Sequence, residues 1–269
     1  MADRRLLPEV GEADAEGDVS IVYEEIRTTL RTPFVALIYR TLAVEPGRLE
    51  SAWEQLRPFY THPATWQAAA NLHWSEAFLE AVPPVGDLGD LHLGAQFFAR
   101  ARATLDAYDR VNRLNLLGLS ALLFPLSGKV PTDSVQRSML GLVSASREEL
   151  LPMLDPDALP SADRAVLLEI SQALLPSADP VLVPSLLRHI ALPGLLGRIW
   201  PAIRPAIEGN FVAAAAEGLR RQANASAIPP RQSMSPLLDP AIRPTAERFL
   251  VGTSTMVVTG SVLRHVLGV

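Results

Sequence analysis

The chain has 269 residues, 48% of them hydrophobic, no cysteine, and a formal net charge of −5. Absent thiols exclude disulfides, thiolate metal sites and cysteine nucleophiles. The acidic balance, with a single lysine (Lys129) in the middle of the chain, argues against nucleic acid as a partner, because phosphate binding needs clustered cations.

The first helix is expected from Asp18 or Ser20 as cap, with Glu24 and Glu25 in its first turns and Ile21, Ile26 and Leu30 near one face. Pro33 breaks it. A second helix spans 34–43 and stops at Pro46-Gly47; a third starts with Leu49 and Trp53, and Pro58 closes it. Residues 64–81 read as one helix, and 91–124 as two helical segments divided near Asp109 to Asn115. Residues 125–160 are rich in Pro, Ser and Asp and lack periodicity, the signature of a linker. Strand signals are scarce; the Val/Thr run 251–258 has helical neighbours and reads as buried helix. The expectation is an all-α protein.

Self-similarity organises these elements. Val22, Glu25, Ile26 and Leu30 fall over Val166, Glu169, Ile170 and Leu174, and Arg40 over Arg188. From Pro46 to Pro58 the register is gapless: Pro46-Gly47, Leu49, Trp53 and Arg57-Pro58 meet Pro193-Gly194, Leu196, Trp200 and Arg204-Pro205. A weaker echo places Thr104, Tyr108, Leu116 and Ser120 over Thr245, Phe249, Val257 and Ser261. Two tandem diverged repeats packed as a pseudo-dimer are expected, at 1–130 and 161–269 with 131–160 between them, and a ligand site between related halves. The tryptophans read as plugs at the helix junction. Glu25 and Glu169 are either an acid–base pair or helix-dipole partners on solvated faces. Arg40 and Arg188 either clamp a carboxylate or pair with those glutamates.

Residues 22–35, Tyr39-Arg-Thr-Leu-Ala43, Pro46-Gly-Arg-Leu49 and Ala52-Trp53 resemble the amino-terminal repeat of the non-stereospecific DL-2-haloacid dehalogenases (group I), and the stretch around 188–200 is similar to that family's second repeat. The resemblance implies an all-helical pseudo-dimer, homodimeric, without cofactor or metal, acting on a small 2-haloacid. An aspartate of the second repeat would activate water for attack at C2, and an asparagine of the first would hold that water. The asparagine matches Asn112, followed by Arg113 where proline is expected. The aspartate position falls on Ser185 or Leu186, neither of which is a general base; the nearest aspartate is Asp179. Asn112 and Asp179 are therefore the candidate catalytic residues, and Phe34, Leu37, Tyr108, Ser185 and Leu186 the candidate substrate contacts. A non-catalytic or differently catalytic relative that keeps the pocket between the halves and binds a small apolar ligand there is the alternative. No apolar run reaches the ~18 residues that cross a bilayer, and the amino terminus lacks a secretory h-region. A cytoplasmic protein with no membrane or nucleic-acid partner is expected.

Overall fold

A computed structural model describes residues 6–86, 88–124, 146–176, 180–226, 228 and 239–269. Among them are ten α-helices and no strand; the one β-type pairing is an isolated bridge between Leu6 and Val181. In chain order the helices are α1 (Gly17–Leu30), α2 (Leu37–Leu42), α3 (Arg48–Thr61), α4 (Pro63–Asn71), α5 (Ala95–Leu123), α6 (Ser161–Leu174), α7 (Ser185–Ile190), α8 (Leu195–Glu208), α9 (Phe211–Ala225) and α10 (Arg243–Leu267).

The long helices α5 and α10 form the centre and share the most extensive helix–helix contact. By length and mean hydropathy α10 matches a membrane span, although no uninterrupted apolar run of that length was expected. Its apolar character is spent inside the protein: four-fifths of that window is buried, and small residues (Gly252, Ser254, Gly260, Ser261) let it lie close to its neighbours. Residues 251–258 fall within this helix, as their neighbours implied.

Around the centre, α1 packs on α3 and α6 on α8. The two pairs carry the same contacts. Gly47 and Gly194 each precede a helix in the left-handed region, at φ 78° and 80°, which a residue without Cβ adopts cheaply. Trp53 Nε1 donates to Glu25 Oε2 at 2.9 Å, and Trp200 Nε1 to Glu169 Oε1 at 2.9 Å. Arg57 reaches Glu25 and Arg204 reaches Glu169, at 3.6 and 3.9 Å. Both indoles are buried. A carboxylate above each junction thus satisfies the indole N–H that packing would otherwise strand. Glu25 and Glu169 are each tied to their own tryptophan, so neither the acid–base pair nor a purely dipolar role describes them.

Several expected boundaries differ. Helix α1 starts at Gly17, with Asp18 in its first turn rather than at the cap. Pro58 lies inside α3, which runs on to Thr61; burial of Phe59 and Tyr60 holds the extra turn despite the lost hydrogen bond. Residues 64–81 divide into α4 and a separate 3₁₀ turn, Ala77–Ala81. Helix α5 is continuous through 109–115: no Pro or Gly interrupts it there, and its asparagines face inward rather than capping. Residues 125–145 of the expected linker lie outside the described residues. Of the rest, Leu150, Leu151 and Pro156 are buried, and Leu151 N donates to Thr104 Oγ1 at 2.9 Å.

Candidate functional site

A cavity of about 40 Å³ lies between α5, α10 and the two short helices α2 and α7. Ala36, Leu37 and Ile38 enter from the start of α2, and Pro184, Ser185 and Leu186 from the start of α7. Tyr108, Asn112 and Asn115 come from α5; Phe249, Gly252, Thr253 and Met256 come from α10; Leu182 closes the wall. The lining follows the sequence echo. The register that sets Arg40 over Arg188 sets 36–38 over 184–186, and the one that sets Tyr108 over Phe249 sets Asn112 over Thr253 and Asn115 over Met256. The α5 side supplies a phenol and two amides; the α10 side opposes them with a phenyl ring, a hydroxyl and a thioether. The space holds on the order of three water-sized groups, so an occupant is a molecule of few heavy atoms.

Helical spacing explains the α5 donors. Positions 108, 112 and 115 are separated by four and three residues and share one stripe. Asn112 is 9% exposed, and its Nδ2 has no hydrogen-bond partner. A buried amide N–H that binds nothing costs free energy, so the site is built to receive an acceptor. Asn115 is 1% exposed; its Oδ1 is taken by the hydroxyls of Tyr39 (2.8 Å) and Tyr60 (3.3 Å).

Ser185 connects the cavity to a buried ion group. Arg40, 1% exposed, donates from Nη2 to Ser185 Oγ at 2.7 Å, and its Nη1 lies 3.1 Å from Glu9 Oε2. Glu9 Oε1 also accepts from Arg188 Nη1 at 2.7 Å. Two guanidiniums on one carboxylate leave one net positive charge behind the wall. Arg40 and Arg188 therefore pair with neither Glu25 nor Glu169. Their partner sits in the amino-terminal segment, which is held by Leu7 N to Val181 O (3.1 Å) and Val10 N to Arg40 O (3.0 Å).

Tyr108 is held from two directions. Phe34 stacks on its ring at 4.3 Å, and its hydroxyl lies 3.1 Å from His189 Nε2. Burial pushes the phenol pKa up, partly opposed by the field of Arg40. His189 Nδ1 lies 2.5 Å from the Leu151 carbonyl oxygen. Burial, with Arg188 and Arg40 nearby, lowers the imidazole to about 4, so it is neutral at pH 7. A neutral ring that donates from Nδ1 to a carbonyl must accept at Nε2, so Tyr108 donates to His189 and its oxygen remains an acceptor.

Of the residues singled out from sequence, Leu37, Tyr108, Asn112, Ser185 and Leu186 line this one cavity. Phe34 stands behind Tyr108 rather than in the lining. Asp179 lies outside the described residues. The sequence reading missed Asn115, Thr253, Met256 and Glu9. The first three could have been found by extending the echo from Tyr108 and Phe249 along both helices. Glu9 had no counterpart to mark it. No carboxylate lines the cavity among the described residues. A larger groove of about 580 Å³ along α5 has charged walls, including Arg100, Asp106, Arg110 and Glu149, and is open to solvent.

The structure aligns over 97% of its length with D-2-haloacid dehalogenase structures. One is a mutant in complex with D-2-CPA (TM-score 0.70, 19% identity) and another a complex with L-LA (0.73, 20%), each covered over 94% of its own length. The fold is that of the D-2-haloacid dehalogenases. The curated relatives are also named as 2-haloacid dehalogenases. A configuration-inverting 2-haloacid dehalogenase of Alcaligenes xylosoxydans is 29% identical over 58% of this chain, and one of Pseudomonas sp. (strain 113) 26% over 64%. An (R)-2-haloacid dehalogenase of Pseudomonas putida is 42% identical over 55 residues. The chain spans 55% and 60% of the length of the first two relatives. No family model matches it. The relatives' names carry inversion and, in one case, (R)-specificity; none carries the non-stereospecific subtype that the sequence resemblance implied.

Proposed function

We propose that this protein is a 2-haloacid dehalogenase-like hydrolase acting on a small 2-halocarboxylic acid without a cofactor. The observation that carries the reading is Asn112: it lines a cavity of a few atoms' size in the fold of these enzymes, and its Nδ2 is a buried donor without a partner. The net positive charge of the Arg40–Glu9–Arg188 group behind Ser185 favours an anionic occupant. Leu37, Ile38, Leu182 and Met256 suit its apolar substituent.

In this reading Asn112 holds a water beside C2. The water oxygen bonds to C2 as the carbon–halogen bond breaks, the halide leaves with the bonding pair, and the water's proton passes to a base. The product is the 2-hydroxy acid of inverted configuration. Asp179 is the base we assign, and Phe34, Leu37, Tyr108, Ser185 and Leu186 shape or support the substrate site. The protein is read as a cytoplasmic homodimer, each chain a pseudo-dimer of two related repeats.

Halide release from D- and L-2-chloropropionate tests the proposal. Release from both isomers marks the non-stereospecific subtype, and release from one only the stereospecific kind. Asp179→Asn is expected to slow release by about 10²–10⁴-fold, and undiminished activity excludes Asp179 as the base. The absence of a carboxylate from the described lining favours a second reading, a relative that binds a small acid without turning it over. Binding of 2-chloropropionate with no halide release from either isomer would establish that reading and sink the first.

A further inference from the structure

The hydrogens of two buried phenols decide which way the Asn115 amide points. Tyr39 and Tyr60 are each 1% exposed, and burial raises the pKa of both, so both carry their protons. Their hydroxyls lie 3.1 Å apart and both face the Asn115 carboxamide. With Oδ1 toward them, Tyr39 donates to Asn115 and Tyr60 donates to Oδ1 or to the Tyr39 oxygen; every hydrogen is used. With the amide reversed, one phenol can donate to the other and the remaining hydroxyl hydrogen is stranded in the core. Space for this arrangement comes from Gly118. A Cβ there would collide with the Tyr60 hydroxyl and lie 2.7 Å from its Cζ.

With Oδ1 held, Nδ2 is the end of Asn115 left for the cavity that this residue lines. It stands one helical turn from Asn112, at the roughly 5–6 Å Cβ spacing of i,i+3 neighbours.

We propose that Asn115 is a ligand-binding residue that donates from Nδ2 to the ligand's carboxylate, and that Tyr39 and Tyr60 are the positioning residues that aim it. This rests on the ligand class proposed above but not on turnover. Leu37, Leu186 and Met256, which share the lining, carry no competing donor, and Ser185 Oγ is held by Arg40 Nη2 at 2.7 Å.

Calorimetric binding of 2-chloropropionate and of its neutral amide, 2-chloropropionamide, to the full chain separates the two ideas. Asn115→Asp keeps the shape and the phenol contacts but turns the donor into an acceptor. It is expected to weaken acid binding by about 10- to 100-fold, the range for losing a hydrogen bond to a charged group, and to invert the preference so that the amide binds better than the acid. Tyr39→Phe frees the amide to turn and is expected to weaken acid binding several-fold while amide binding changes less; it also covers the case in which Asn115→Asp does not fold. Equal losses for acid and amide in the folded variants, or unchanged acid binding, would overturn the assignment. So would a wild-type protein that binds neither probe. Wild-type binding without halide release, with the inverted preference in Asn115→Asp, would leave this inference standing and remove the hydrolase reading alone.

Discussion

Replacing Gly118 with alanine sets helix propensity against packing. Residue 118 lies within α5, where alanine is favoured over glycine by about 1 kcal/mol if nothing else changes. The added Cβ, however, falls on the Tyr60 hydroxyl, 2.7 Å from Cζ and 3.0 Å from Leu56 Cδ2. Tyr60 and Leu56 are both buried, so neither has free space to retreat into. Forcing a methyl into a packed core costs about 1–3 kcal/mol, and pushing the phenol off Asn115 and Tyr39 costs about 1 kcal/mol more. The net expectation for Gly118→Ala is a loss of about 2 kcal/mol in urea unfolding, and a melting temperature lower by roughly 4–8 °C for a chain of this size. Tyr60→Phe removes the atom in closest conflict. The double variant should therefore lose less than the sum of the singles, with a coupling of about 1 kcal/mol. A Gly118→Ala protein as stable as wild type, or a cycle that is additive, would refute the close approach of Tyr60 to α5.

Titration of His189 gives a second check. Its folded value of about 4 lies below the ordinary 6.5, so the unfolded chain binds the proton first. Stability is full above pH 6.5 and falls as the pH drops toward 4, by on the order of 3 kcal/mol; denaturant unfolding across that window should show a shallower slope in His189→Gln. Removing the shared carboxylate with Glu9→Ala leaves Arg40 buried without its counter-ion and should cost about 3 kcal/mol in the same assay. Trp53→Phe and Trp200→Phe should each cost about 1–2 kcal/mol, by similar amounts, because each loses a 2.9 Å bond to an equivalent glutamate; sharply unequal costs would count against the equivalence of the two junctions.

The two Pro-Gly junctions show what local signals can settle. A left-handed glycine, a helix start and a tryptophan on the next buried face are short-range features, and the recurrence of Pro46-Gly47 and Trp53 at Pro193-Gly194 and Trp200 made them visible in the chain alone. The helical class was legible for the same reason, since periodicity and proline breaks act within a few residues. Stripes were also readable: Tyr108 and Asn112 share a face whatever surrounds α5.

Partners were not readable. Arg40 and Arg188 read either as carboxylate clamps or as partners of Glu25 and Glu169, yet Glu9, far from Arg188 in sequence, takes both. Glu25 and Glu169 went to the tryptophans, because a buried indole N–H needs an acceptor. Asn115 carried no motif; it acquires a direction only when Tyr39 from α2 and Tyr60 from α3 are brought against it. The expected division of α5 near 109–115 failed for a related reason. Its asparagines mimic caps in sequence, and only burial between α5, α2 and α10 shows that they face a cavity. The sequence by itself therefore determined the helical elements and the matching Pro-Gly and tryptophan positions of their two junctions, which are set by neighbours along the chain. The tertiary structure alone decided which donors remain unspent in the cavity, because that depends on acceptors supplied by segments distant in sequence.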